Sequence, residues 1–444
     1  MLDASVVIMA AGEGKRMKSL KAKVLHEICG RAIIDWVMDA VAPVQPIVVV
    51  GHRSDEVSAH IKGRAFTVMQ EQPLGTGHAV MQAAPLLKKE GKGYTVILAG
   101  DMPLVTDKTI TQLYAAAKDA DAAFATAVLE NPAGYGRVVP VGESAAAIVE
   151  DRDCNDEQRR ICEVNASVYC FKTDKLLECL SRLKADNAQG EYYLTDCVGM
   201  LEKVRRVVIS ADESMGVNSK AQLSEAATAM RKRINIRHMD EGVEIIDPAA
   251  TYIDYGAKIG RDTIVYPGNY IQNRTIIGEN CTLYPGSRIS GGVISDGVVI
   301  QNSVILDSSV GSGSSIGPYA YLRPGSKIGE KCRIGDFVEV KNSDIGDGSK
   351  VSHLSYIGDG SIGEGCNIGC GVVFVNYDGK RKSRTVIEDD VFVGCNANLV
   401  APVTIGEGAY VAAGSTVTED VPPGALCIAR ARQTIKTDWK LRED

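Results

Sequence analysis

The chain has 444 residues, of which 45% are hydrophobic and 24% charged, and a formal net charge of −7. This is a globular composition with length for more than one domain, and the acidic balance without a long basic run excludes a nucleic-acid backbone as main partner. No apolar stretch approaches the roughly 18 residues of a membrane span. The N-terminal Met-Leu-Asp-Ala leads into a strand-like run instead of a signal-peptide core, so a cytoplasmic protein without stable membrane association is expected.

The first half reads as α/β. Val6 to Met9, Ile47 to Val50, Tyr94 to Leu98 and Ala122 to Val128 are apolar and strand-length, with helix-like segments such as Ile33 to Val41 and Thr109 to Lys118 between some of them. That alternation predicts a mostly parallel sheet with helices on its faces, whose ligands sit beyond the carboxyl ends of the strands. The first strand runs into Ala10-Ala11-Gly12-Glu13-Gly14-Lys15-Arg16-Met17, with Lys23 close behind. Glycines there let backbone N–H groups approach a phosphate whose charge Arg16 and Lys23 can neutralise. The loop is neither a P-loop, which needs GxxxxGK[ST], nor a dinucleotide fingerprint, because Met17 stands in place of the third glycine. Taken alone, it could equally be a tight turn with no ligand.

From Lys220 to His238 the pattern becomes an amphipathic helix, with Leu223, Ala227, Met230 and Ile234 on one side. Its expected job is to join domains at 1–219 and 240–444, as a linker over 220–239. Thereafter a hydrophobic residue returns every sixth position: Ile253, Ile259, Val265, Ile271, Ile277, Leu283, Ile289, then Val304, Val310, Ile316, Leu322, Ile328, Ile334, Val340, and again Ile387 to Val417. Neither a helix nor an ordinary strand makes a strict period of six. A parallel β-helix of hexapeptide repeats does, here from Gly242 to Cys427 with about ten turns, followed by a basic tail from Ala429 to Asp444. Val375 to Arg384 interrupts the step with a polar, basic insertion, and His353 is the one histidine of six inside the repeats. Such coils commonly trimerise, and a projecting loop can reach a neighbouring subunit. The twelve cysteines form no CxxC ladder and read as small hydrophobes in a reducing compartment.

Gly-x-Gly-x-Arg-Met followed by Lys23 resembles the signature of sugar-1-phosphate nucleotidyltransferases. Three later segments agree: Gln70-Glu71-Gln72-Pro73-Leu74-Gly75-Thr76-Gly77, Gly100-Asp101-Met102-Pro103 and Val217-Asn218. Gly134 to Arg137, Ile148 to Glu150, Glu163 to Asn165 and Gly190 to Asp196 narrow the resemblance to the uridylyltransferase half of the GlmU family, bifunctional enzymes that make UDP-N-acetylglucosamine. The resemblance implies a Rossmann-like nucleotidyltransferase domain followed by a left-handed β-helix. It implies that Ala10, Ala11 and Gly12 cradle UTP, that Gln70, Gly75 and Thr76 contact the pyrimidine, and that Asp101 and Asn218 hold Mg²⁺. Gly136, Glu150, Asn165 and Thr195 would hold the sugar of N-acetylglucosamine-1-phosphate. A phosphate oxygen of that sugar would attack the α-phosphorus of UTP in line, with Arg16 and Lys23 neutralising charge.

Within the repeats, Arg323, Lys341, His353, Tyr356, Asn367, Asn376, Tyr377 and Lys382 match the family's acetyltransferase half. This implies acetyl transfer from acetyl-CoA to glucosamine-1-phosphate, with His353 as general base and Asn376 assisting its orientation. Arg323, Lys341, Tyr356 and Lys382 would bind the sugar phosphate, and Cys395, Ala413 and Arg430 would lie along acetyl-CoA. Three positions depart from the family: Ala22 stands where proline is usual before Lys23, Cys370 where alanine is common, and Cys395 where serine is common. The rival readings are a monofunctional nucleotidyltransferase with an oligomerising β-helix, and a non-enzymatic assembly module.

Overall fold

The structure, a computed structural model, describes residues 2–141, 145–437 and 439; the remainder of the basic tail lies outside the described residues. The chain divides into two compact units between Met230 and Arg231.

In the first unit, the apolar runs form a nine-stranded sheet whose main path is Val204–Val208, Ala122–Val128, Glu163–Lys172, Tyr94–Ala99, Ser5–Ala10, Ile47–Val50 and Phe66–Met69. Every pairing along that path is parallel except those of Glu163–Lys172, which runs against both neighbours. Val6, Ile8 and Ala10 enter one core cluster while Val7, Ile47 and Val49 enter another. A strand buried on both faces has no use for polar alternation, which is why these runs are nearly continuous hydrophobics. Helices Ile33–Asp39, Thr76–Glu90 and Asp107–Ala117 supply part of that cover. The glycine loop after Ala10, Gln70 after Met69 and Asp101 after Ala99 all follow the carboxyl ends of parallel strands. The ligand edge predicted from the alternation is thus where the motifs converge.

A helix spans Lys220–Asp240. Its buried positions are Ala226, Met230, Ile234 and His238, with Asn235 beside them. The apolar face read through Ala227 is therefore one residue off, because Ala226 and His238 continue the four-residue step and Ala227 is only half-buried. In the second unit, Asn235 Nδ2 donates to the carbonyls of Pro248 (2.8 Å) and Thr251 (3.0 Å), closing the start of the coil.

The second unit is a left-handed parallel β-helix. Three parallel sheets hold eleven, ten and nine strands, each strand two to four residues long. One column reads Ile253, Ile271, Ile289, Ile305, Leu322, Val340 and Ile357, each in register with the next. The six-step predicted Val304 as the inward residue, but Ile305 is fully buried and Val304 half-buried. The corners between Ile289 and Ile294, Ile300 and Ile305, and Ile305 and Val310 each lack one residue, so counting by six slips there. Phe374 and Ile387 are successive inward residues on either side of the insertion, which folds as a small hairpin with an antiparallel bridge between Tyr377 and Lys382. Among the described residues, no helix is long and apolar enough to cross a membrane. All twelve cysteines are free, and seven of them are buried, the role expected of small hydrophobes.

Candidate active sites

The first unit carries two adjoining cavities at the carboxyl edge of its sheet. One, of about 280 Å³, is lined by Ala10, Ala11, Gly12, Lys23, Gln70, Gly75, Thr76 and Asp101 among others. The second, of about 320 Å³, is lined by Arg16, Gly136, Glu150, Asn165, Thr195 and Asn218. Met9, Thr76, Ala99 and Asp101 line both, so Asp101 stands at their junction.

Local geometry explains this placement. The glycine loop breaks into short turns at Lys15–Met17 and Lys23–Leu25, so it offers a bare backbone to an anion rather than the end of a long helix. Gly14 has φ 65°, and a Cβ there would come within 2.9 Å of Lys23 Cβ; glycine is what lets Lys23 fold over the loop. Gly75 has φ 107°, and a Cβ there would lie 2.6 Å from the Tyr192 carbonyl oxygen. Tyr192 N donates to Leu74 O and Gly77 N donates to Tyr192 O, lacing the two loops together. Gln70, 6% exposed, is fixed by its Nε2 contacts to Gly75 O and His78 Nδ1, both 3.1 Å.

At the junction, Lys23 Nζ lies 2.5 Å from Asp101 Oδ2 and 3.1 Å from Asn218 Oδ1. The Val217 amide donates to the Asp101 carbonyl at 2.9 Å, which brings two segments far apart in sequence to one point. The ammonium shows that the two side-chain oxygens converge on a cation. One carboxylate and one amide oxygen are the hard donors Mg²⁺ takes alongside substrate phosphates, so the residues fit that ion.

The second cavity is lined by hydrogen-bonding side chains. Thr195 Oγ1 donates to Glu150 Oε1 at 2.9 Å. Burial pushes the Glu150 carboxyl up from the ordinary range, against the Thr195 hydrogen bond and with Asp196, Asp153 and Asp151 adding to the rise. Asn165 Nδ2 donates to Tyr169 Oη at 2.7 Å. A shift in strand register between Asn165 and Tyr169, with Ser167 at φ 52°, turns Asn165 into the cavity.

Ala22 bears on Lys23 directly. It is buried and has φ −56° and ψ 138°, values a proline adopts without strain. The Ala22 amide also donates to the exposed Glu56 carboxylate, a contact proline would lose, so Ala22→Pro is expected to gain less than the ~0.4–1 kcal/mol that fixing φ usually gives through the unfolded chain. A small rise in melting temperature with unchanged nucleotide-site activity is the result to look for. A fall in melting temperature would mean that the Ala22 amide matters more than its φ.

In the second unit the site lies at one corner of the coil. Asp336 is in register with His353, and His353 Nδ1 is 2.5 Å from Asp336 Oδ1. The His353 hydrogen bond holds the Asp336 carboxyl below its usual range. In that step the Leu354 amide bonds the Asp336 carbonyl. The same bond recurs from Gly371 to His353, from Asn396 to Cys370 and from Gly414 to Cys395. One column therefore reads Asp336, His353, Cys370, Cys395, Ala413. A Cβ on Gly414 would lie 3.8 Å from Arg430 Cδ, which puts Arg430 at the column's end.

Past the corner, the next sheet carries the cations. Asp359 is a hub: it accepts from Lys341 Nζ at 2.9 Å, from Asn342 Nδ2 at 2.9 Å and from Asn376 Nδ2 at 2.6 Å. Burial would raise its carboxyl, but Lys341 and these amides outweigh it and hold the group low. Arg323 Nη1 pairs with Glu339 Oε1 at 2.9 Å. Lys341 lies close enough to Lys382 to push the Lys382 ammonium down, and Arg323 adds to the effect. Crowded like charge of this kind is suited to a phosphate dianion. A Cβ on Gly358 would lie 2.5 Å from Tyr356 Oη, so the phenol fills the space beside Lys341 that glycine leaves. Tyr377 turns its hydroxyl back to Gly379 O within the insertion, and Asn367 sits on the His353 sheet between Lys350 and Phe392. Asp336 and Asp359 were not anticipated, since each lies 17 residues from the partner it orients and no local string marks them.

Residues 6–196 match the model of the MobA-like NTP transferase domain. Residues 256–291, 307–342 and 384–419 match that of the bacterial transferase hexapeptide (six repeats). The protein called Bifunctional protein GlmU in Clostridium tetani is 50% identical over 99% of this chain and 98% of its own length. Its namesake in Acetivibrio thermocellus is 50% identical, and one in Clostridium botulinum 49%, each over 98% of this chain and 97% of the relative. With about half its residues shared along nearly the full length of proteins so named, the chain belongs to the GlmU family.

Proposed function

We propose that the chain makes UDP-N-acetylglucosamine by two transfers, acetylating glucosamine-1-phosphate with acetyl-CoA in the β-helix and then passing UMP from UTP to the acetylated sugar phosphate in the α/β unit. The observation that carries this reading is that each unit holds the charged groups its reaction needs: Lys23 with the Asp101 and Asn218 oxygens in one, and Lys341 with Lys382 together with the Asp336–His353 pair in the other. The His353 pair and the cation cluster argue against a β-helix that only oligomerises.

For uridylyl transfer, UTP occupies the cavity of Gly12, Gln70 and Gly75, and the sugar that of Glu150, Asn165 and Thr195. Their phosphates meet at Asp101. Gln70 is held rigidly enough to read a base edge, and Arg16, which lines the sugar side, can neutralise the attacking phosphate. Mg²⁺ bound by Asp101 and Asn218 would neutralise charge on the leaving pyrophosphate. Lys23, now paired with those oxygens, is then free for the nucleotide phosphates.

For acetyl transfer, the Asp336 carboxylate holds the proton of His353 on Nδ1, leaving Nε2 to accept one from the attacking amine. Arg323, Lys341, Tyr356 and Lys382 bind the sugar phosphate, Asp359 sets Lys341 and Asn376, and the column through Cys395 and Ala413 to Arg430 carries acetyl-CoA.

The assembly we favour is a homotrimer. Tyr319, Phe337 and Leu354, each 58–59% exposed, form an apolar ridge at the corner beside His353, and bulky residues at positive φ (58°, 54° and 49°) accept strain to stand outward there. The two nucleotide co-substrates and the free thiols favour the cytoplasm. Mass spectrometry of products from glucosamine-1-phosphate, acetyl-CoA and UTP, supplied together and singly, with the native mass of the protein, tests the reading. UDP-N-acetylglucosamine from the full mixture and a threefold mass are expected. Absence of the acetylated sugar phosphate when UTP is withheld would sink the β-helix assignment.

A further inference from the structure

Two cysteines occupy consecutive steps of the column above His353. The Asn396 amide bonds the Cys370 carbonyl as the Gly371 amide bonds that of His353, so Cys370 and Cys395 are direct neighbours although they stand 25 positions apart in the sequence. The paired strands end two residues earlier, at Ile368 and Val393, and stacked coils lie about 4.8 Å apart, inside the roughly 4.4–6.8 Å Cα separation that a disulfide spans. Cys370 is half-buried and Cys395 exposed, which gives a reagent access.

The other coil cysteines differ. Cys281, Cys332 and Cys366 share a column, but Val298, Ser314 and Ser349 separate them. Their thiols donate to carbonyls of Ser295, Gly346 and Glu388, and burial pushes all three up. Cys179 and Cys197 meet in the first unit, but they are buried in its core, away from solvent.

We propose that Cys370 and Cys395 form a disulfide on reaction with a small-molecule disulfide, and that this bond switches off acetyl transfer while uridylyl transfer continues. The Cys395 thiolate attacks one sulfur of the reagent and releases a thiolate. Cys370 then attacks the Cys395 sulfur of the mixed disulfide and releases the second. Two protein thiols lose two electrons, the reagent gains them as two thiols, and the thiol protons leave with those products. The new bond lies on the face between His353 and Ala413, and its effect on activity rests on the placement of acetyl-CoA proposed above.

The test treats the full-length protein with oxidised glutathione, followed by a non-reducing peptide map and both activity assays. The expected result is a peptide pair joined through Cys370 and Cys395, and acetyl transfer lowered by at least about tenfold and restored by dithiothreitol, with uridylyl transfer retained. Cys395→Ser, which lacks the attacking thiol, should keep its own untreated rate of acetyl transfer through the same treatment. The proposal falls if no such pair forms, if the pair forms and acetyl transfer persists, or if Cys395→Ser is inactivated like the parent. A reduced protein with no acetyl transfer at all would instead overturn the placement of acetyl-CoA, while the map still reads the bond.

Discussion

His353→Ala should abolish nearly all acetyl transfer, by about 10²–10⁴-fold in kcat, the usual worth of a positioned general base, and leave uridylyl transfer and the melting temperature where they were. The side chain is about half exposed, so its loss has little to unfold. Asp336→Asn separates the roles within the pair. The amide keeps the shape but not the acceptor that holds the Nδ1 proton, so kcat for acetyl transfer should fall while KM for the sugar phosphate stays in place. A kcat that stays in place would reduce Asp336 to a structural contact. Retained acetyl transfer in His353→Ala would remove the base altogether.

The second large effect is expected in the other unit. Asp101→Asn removes the only carboxylate of the described set around Lys23 Nζ, leaving the Asn218 oxygen at 3.1 Å. Uridylyl transfer should fall by about 10²–10³-fold, the scale of losing one preorganised electrostatic contact, and the Mg²⁺ concentration for half-maximal rate should rise. Acetyl transfer is the internal control and should not move. Pyrophosphate release followed across a Mg²⁺ series reads both quantities. A rate loss with an unchanged Mg²⁺ requirement would assign Asp101 to the positioning of Lys23 alone.

What could be read from the chain itself follows from how far each signal reaches. The glycine loop, Gln70 to Thr76 and Asp101 each sit in one short string at a strand end, and the structure gathers them around two adjoining cavities. The repeat was equally legible, because every inward side chain of a coil must be apolar and a constant coil length turns that need into a period. It failed at Val304 because corners had lost a residue, and counting cannot say whether Val304 or Ile305 then points inward. Asp336, Asp359 and the Cys370–Cys395 pair escaped notice for a related reason. Their partners lie one full coil away, at 17 or 25 residues, and the separation depends on the length of every corner and of the Asn376 to Ser383 hairpin between them.

The coil's ends are unlike one another. Asn235 closes the start, whereas the final strand, Leu426–Cys427, pairs on one side only among the described residues and leaves Leu426 and Ile428 more than 60% exposed. In a stack where each layer touches only its neighbours, opening proceeds from whichever terminus is least well covered. Here that is the layer holding Arg430, next to Ala413. With acetyl-CoA placed as proposed, fraying of this layer and emptying of the donor groove are one equilibrium: a bound donor clamps the loose end, and an empty groove lets it breathe.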